Sequence, residues 1–87
     1  MNNFSDPQRR KIMETAAKLD QIAYHPAHTF LVKTYSEILD QYELLRKFNL
    51  NRRALRPEVF WIQKSYMLNM LAALNHRIDS ILRERSI

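Results

Sequence analysis

The side chains of this sequence that could do chemistry fall into three groups. His25 and His28 form an H-x-x-H around Pro26, with Asp20 and His76 as conceivable further ligands. Zinc takes three or four ligands in tetrahedral reach. Two histidines beside a proline suit a turn better, one of them capping the next helix or packing on Tyr24, and no metal is expected there. His76, Asp79 and Ser80 have the residue types of a hydrolytic triad. They stand on consecutive turns of one regular helical segment whose N–H groups are already bonded, so they supply no oxyanion hole. A solvated face with an Asp79–Arg83 pair is the expectation. No pair of carboxylates stands among apolar neighbours, so general acid–base work has no candidate. The chain reads as non-enzymatic, with no catalytic residue, metal or cofactor.

The third group is cationic. Arg46, Lys47, Arg52, Arg53 and Arg56 place five cations in eleven residues, and no acid occurs between Leu44 and Pro57. The net charge is +5 and the other nine bases balance the nine acids, so this segment holds the whole excess. A localised excess favours an anionic partner. Four of the five are arginines, which suit bidentate contact with carboxylate or phosphate. The expected partner is a protein with an acidic surface; the alternative is DNA or RNA, met through phosphates. A helix-turn-helix fits poorly, because the turn lacks glycine, runs long, and leads into a helix too apolar for a groove. Phe48, Phe60 and Trp61 flank the basic segment, as stacking platforms for single-stranded nucleic acid do. With Phe4, Tyr24, Phe30, Tyr35, Tyr42 and Tyr66 they recur at helical spacing, which places most of them in a core.

Composition excludes much else. There is no glycine, so no P-loop, dinucleotide fingerprint or nucleophile elbow exists. There is no cysteine, which removes disulfides, thiolate metal sites and cysteine nucleophiles. A chain of 87 residues that is 46% hydrophobic is a folded unit, too short for two domains, and one helical domain over 1–87 is expected. The opening MNNFSDPQRR lacks the apolar core of a signal peptide. The longest uncharged stretch, Ser65 to His76, rises about 18 Å as a helix against the ~30 Å of a bilayer core. A cytoplasmic protein without membrane contact is the expectation.

Three helices must position these groups. Alternation of period 2 is missing, whereas period 3.6 appears three times. The first helix is expected over about 6–24, opened by Pro7 with Ser5 or Asp6 as cap. Its stripe is Ile12, Ala16, Leu19 and Ala23, flanked by Met13 and Ile22, with a Glu14–Lys18 pair outside. Pro26 turns the chain at His25. The second helix is expected over about 28–48, with the stripe Leu31, Tyr35, Ile38, Tyr42 and Leu45, widened by Val32 and Leu39, and a Glu43–Lys47 pair. The connection FNLNRRALR, with a short helical turn at 52–55, leads to a third helix over about 57–85.

The third helix is the odd one. Met67, Leu71, Leu74, Ile78 and Ile81 form one apolar stripe on a 100° wheel. Val59, Ile62, Tyr66, Met70 and Ala73 form a second beside it, with Trp61, Leu68 and Ala72 on the other flank. Only Glu58, Ser65, Asn69 and His76 make a narrow polar spine. A helix apolar nearly all round belongs inside a larger assembly. Two partner helices cannot cover it, so the expected fold is an all-α, three-helix up-down-up bundle that associates through its long, apolar C-terminal helix. The second stripe is the candidate surface for a homodimer or another protein. Asn69 at such a seam would fix register, unless the spine simply faces water. The expected function is a non-catalytic regulator, inhibitor or adaptor acting through protein–protein contact. The alternative is a nucleic-acid-binding accessory protein.

Overall fold

The computed structural model describes residues 7–50 and 56–86, and the side chains of all of these except 48–50 and 86. Three helices make up the fold: α1 (Pro7–Gln21), α2 (His28–Leu50) and α3 (Pro57–Ser86). They run up, down and up, and α2 and α3 share the largest interface. Ser5, Asp6, Phe4 and the expected helical turn at 52–55 lie outside the described residues. No described residue has a positive φ, so the turns are built without the left-handed geometry that glycine favours.

Each helix begins where local chemistry allows. Pro7 and Pro57 each occupy a first helical position, where the missing N–H costs nothing. The Arg56 carbonyl accepts the Phe60 N–H at 2.9 Å, closing the first turn of α3. Glu58 stands in that turn and Arg83 and Arg85 in the last, each the favourable charge for its end of the helix dipole. The α1–α2 connection is held by short-range bonds, including His25 N–H to the Ile22 carbonyl at 3.0 Å and His28 N–H to the His25 carbonyl at 2.9 Å.

Helix boundaries differ from expectation at two points. α1 ends at Gln21 rather than Tyr24, because the Ile22 and Ala23 N–H groups bond three residues back, to Leu19 and Asp20. The His25 N–H, which would continue the helix to the Gln21 carbonyl, bonds Ile22 instead, and the Gln21 carbonyl accepts Arg85 Nη1 at 3.2 Å from the far end of α3. α2 continues to Leu50, two residues beyond the expected end.

The core is a cluster of buried side chains from all three helices: Ile12, Leu19 and Ile22; Leu31, Ile38, Tyr42 and Leu45; Met67, Leu71, Leu74, Ile78 and Ile81. The main stripes of α2 and α3 are as expected, save that Tyr35 is half-buried and Val32 and Leu39 are exposed. α1 is rotated from its expected stripe. It buries Ile12, Thr15, Leu19 and Ile22, while Ala16 is half-buried and Ala23 exposed. Burying Ile22 instead of Ala23 removes more apolar area from water. The rotation carries Thr15 inside, where its hydroxyl donates to the Lys11 carbonyl at 2.7 Å and accepts Asn75 Nδ2 at 2.8 Å.

Three ties fix α1 against α3 in parallel register. Thr15 meets Asn75 as above, Lys18 Nζ meets Asp79 Oδ1 at 2.8 Å, and the Gln21 carbonyl meets Arg85. The expected i,i+4 pair of Glu14 with Lys18 and the expected Asp79–Arg83 pair both give way to this cross-helix bridge. Glu43 likewise pairs with Arg46, at 3.6 Å, instead of Lys47.

Helix lengths are unequal. At 1.5 Å per residue α3 spans about 45 Å, α2 about 34 Å and α1 about 22 Å. The molecule measures 50 × 25 × 16 Å, its long axis set by α3. α1 therefore covers only one side of the α2–α3 pair, and only part of its length.

Candidate functional site

The histidine pair near Pro26 serves the turn. His25 Nδ1 accepts the Ala27 N–H at 3.0 Å, and its ring meets Tyr24 edge-on with centroids 6.1 Å apart. That is a side-chain cap before α2, and it occupies the nitrogen a metal would need. Among the described residues no group of three or more His, Asp or Glu side chains is placed to hold a metal ion. Asp79 is committed to Lys18. The Lys18 hydrogen bond holds its carboxyl below the usual carboxylate range, against a smaller opposing effect of burial, with Lys18, Arg83 and Lys11 adding favourable charge. His76 is exposed, so the three residues assemble no nucleophile and base. The described residues form a small all-helical unit without a catalytic motif. None of its helices is long and apolar enough to cross a membrane.

The cations of the basic segment divide. Arg52 and Arg53 lie outside the described residues. Lys47 is exposed in the last turn of α2, and Arg56 is exposed at the mouth of α3. Arg46 is half-buried and turns toward the junction of the two helices. There it joins a recess of about 210 Å³ lined by Gln8, Tyr42, Leu45, Arg46, Phe60, Trp61, Lys64 and Met67. Among the described residues, Gln8 in the first turn of α1 is the α1 side chain that lines it, because α1 runs parallel to α3 and begins beside this end of the bundle.

The second stripe of α3 lies on the opposite side of the α2–α3 pair, away from α1. Ile62 is 65% exposed and Tyr66 56%. Ala73 is exposed, while Val59 and Met70 are half-buried. Phe30 of α2, 68% exposed, stands on the same side. With Met70, Ala73 and Arg77 it lines a shallow groove of about 380 Å³, floored by Leu31 and Leu74. Gln41 Nε2 donates to Met70 Sδ at 3.7 Å across the seam.

One expectation needs correction here. Aromatic residues were expected mainly in the core. Of the seven with described side chains, Tyr24, Phe30, Trp61 and Tyr66 are each more than half exposed, so aromatic surface dominates both uncovered faces. Asn69 is exposed with Ser65 and His76, so within this bundle the polar spine faces water, the reading that their common line on the wheel favours. The buried amide is Asn75, 5% exposed, which sequence reading missed. Its flank of the wheel, shared with Trp61, Leu68 and Ala72, is the one that α1 selects. The recess at Trp61 was missed for the same reason, since it depends on which flank of α3 α1 packs against. Comparison of the chain with protein-family models, curated proteins and solved structures finds no match.

Proposed function

We propose that this chain is a non-catalytic binding protein, a regulator, inhibitor or adaptor, that works through protein–protein contact and pairs with a second copy of itself. One observation carries the reading: the second stripe of α3 leaves Ile62 and Tyr66 more than half exposed, and farther along it Met70 and Ala73 share a groove with Phe30 of α2, itself 68% exposed. Scattered exposed apolar residues are ordinary, but several on one stripe of a helix, joined by an aromatic from its neighbour, mark a candidate interaction surface. A bundle with helices on one side of its longest pair offers the other side to further helices. A two-fold pairing satisfies this with one self-complementary patch.

Solution mass decides the matter. Light scattering at tens of micromolar is expected to give a dimer. Met70→Glu or Ala73→Glu is expected to give a monomer with unchanged helicity, because either change puts a charge into the seam. A monodisperse wild-type monomer would sink the self-pairing. Titration with random DNA and RNA tests the basic segment at Arg46, Lys47, Arg52, Arg53 and Arg56. A steep fall of affinity with salt would assign that segment to phosphates instead of a protein.

A further inference from the structure

The recess at the α2–α3 junction is separate from the self-pairing face. Its floor is apolar, with Met67 only 1% exposed beside Leu45. Phe60 and Trp61 form a wall, their rings at 85° with centroids 5.8 Å apart. Two cations stand at its edge: Arg46, and Lys64, whose Nζ lies 5.0 Å from the Trp61 ring centre. No acid lines it. The nearby Glu43 touches Arg46 through one nitrogen at a loose 3.6 Å, which leaves guanidinium donors open.

Size and charge together select an occupant. A dry cavity of about 150 Å³ holds one benzene ring, whereas drug-sized ligands take about 300–1,000 Å³. At about 210 Å³, this recess admits one aromatic side chain. The positive charge around it exceeds what a single carboxylate would need. Lys47 and Arg56 are exposed at the same end of the bundle. We propose that the recess is the anchor site for an acidic peptide segment of a partner protein. One aromatic side chain enters beside Trp61, and flanking carboxylates pair with Lys64 and Arg46. The proposal rests on the reading of the chain as a protein-binding module, and adds where the partner binds and what chemistry it brings.

Trp61 is the chain's one tryptophan and part of the recess wall, so its emission reports occupancy. The test titrates the full chain with a blocked pentapeptide, phenylalanine flanked on each side by two aspartates. A saturable emission change is expected, with affinity at least about tenfold above that of the alanine-centred and lysine-flanked versions, as for an aromatic anchor in a pocket. Calorimetry reads the variants, since Lys64 itself perturbs Trp61. Lys64→Glu should weaken binding at least about tenfold without loss of helicity. Lys33→Glu, an equal change of charge on an exposed α2 residue outside the recess, should leave it unchanged. Three results would each overturn the proposal: no saturable binding, equal binding of the alanine-centred peptide, or phenylacetate binding as tightly as the peptide. A monomeric chain that binds the peptide would remove the self-pairing alone. A dimer that ignores the peptide would remove the anchor site alone.

Discussion

Asn75 does two jobs with one amide nitrogen. Its Nδ2 donates to Thr15 Oγ1 at 2.8 Å and to the Leu71 carbonyl at 3.0 Å, while its buried Oδ1 has no hydrogen-bond partner among the described residues. A half-satisfied buried amide stabilises little in itself and penalises any other register of α1. Thr15→Val should therefore cost about 1–3 kcal/mol, because it strips an acceptor from a buried donor. Adding Asn75→Leu should recover part of that loss, and a double-mutant cycle in urea would show coupling above about 0.5 kcal/mol. Strict additivity would mean that the two side chains do not depend on one another.

Asp79 gives a pH signature of known sign. Lys18 lowers its pKa in the folded state, so in acid the unfolded chain binds more protons at this site. The contribution is whole above the ordinary carboxylate range and is lost as pH falls through the lowered folded value. The pair is partly exposed, which limits it to about 1 kcal/mol or less. Melting temperatures measured from pH 6 to pH 2 should thus fall more for the wild type than for Asp79→Asn. Equal slopes would remove the bridge from the stability of the fold. Neither residue partner was visible in the sequence. Lys18 had an adjacent candidate in Glu14, and a wheel drawn for one helix cannot say which flank another helix will choose.

At the scale of elements the sequence was far more explicit. Unbroken 4-3-4-3 spacing marked the buried faces of α2 and α3, and proline marked both later helix starts. Leu71 sits in the middle of the α3 stripe and is buried. Leu71→Ala should cost about 2–5 kcal/mol through lost transfer energy and an unfilled cavity. In a chain of this size each kcal/mol lowers the melting temperature by about 4–8 °C. A calorimetric scan that moves less than this would place Leu71 outside the packed core. α1 was harder to read, because Ala16 and Ala23 made an apolar stripe as regular as Thr15 and Ile22. What separated them was side-chain volume and a hydroxyl partner on α3, and neither is a property of periodicity.

For the whole molecule, the ruling fact is that the longest helix has twice the residues of the shortest, 30 against 15. The excess of apolar surface on α3 was legible, and so was the inference that two helices could not cover it. Where it would stay open was not legible, since that depends on the side of the α2–α3 pair that α1 packs against. Both uncovered regions follow from this mismatch: the face around Met70, and the recess beside Trp61.

The positions of the α1–α3 ties also have a kinetic consequence. Among the described residues the polar ties of α1 to α3, at Thr15, Lys18 and Gln21, all lie in its second half, with Ile12 the buried contact of its first half. Local opening has a direction in such an arrangement. Amide hydrogens near Ile12 and Met13 should exchange with solvent through a low-energy peeling of the free end. Those near Leu19 should wait for a larger opening, and those at the centre of α3 for global unfolding. Native-state exchange under mild denaturant should show protection rising along α1 from Lys11 to Leu19, then again to Leu71. One common exchange rate for all three helices would mean that the fold opens as a single unit. A graded series would make α1 the part of this chain that loosens first, from its amino-terminal end, while the α2–α3 hairpin remains closed.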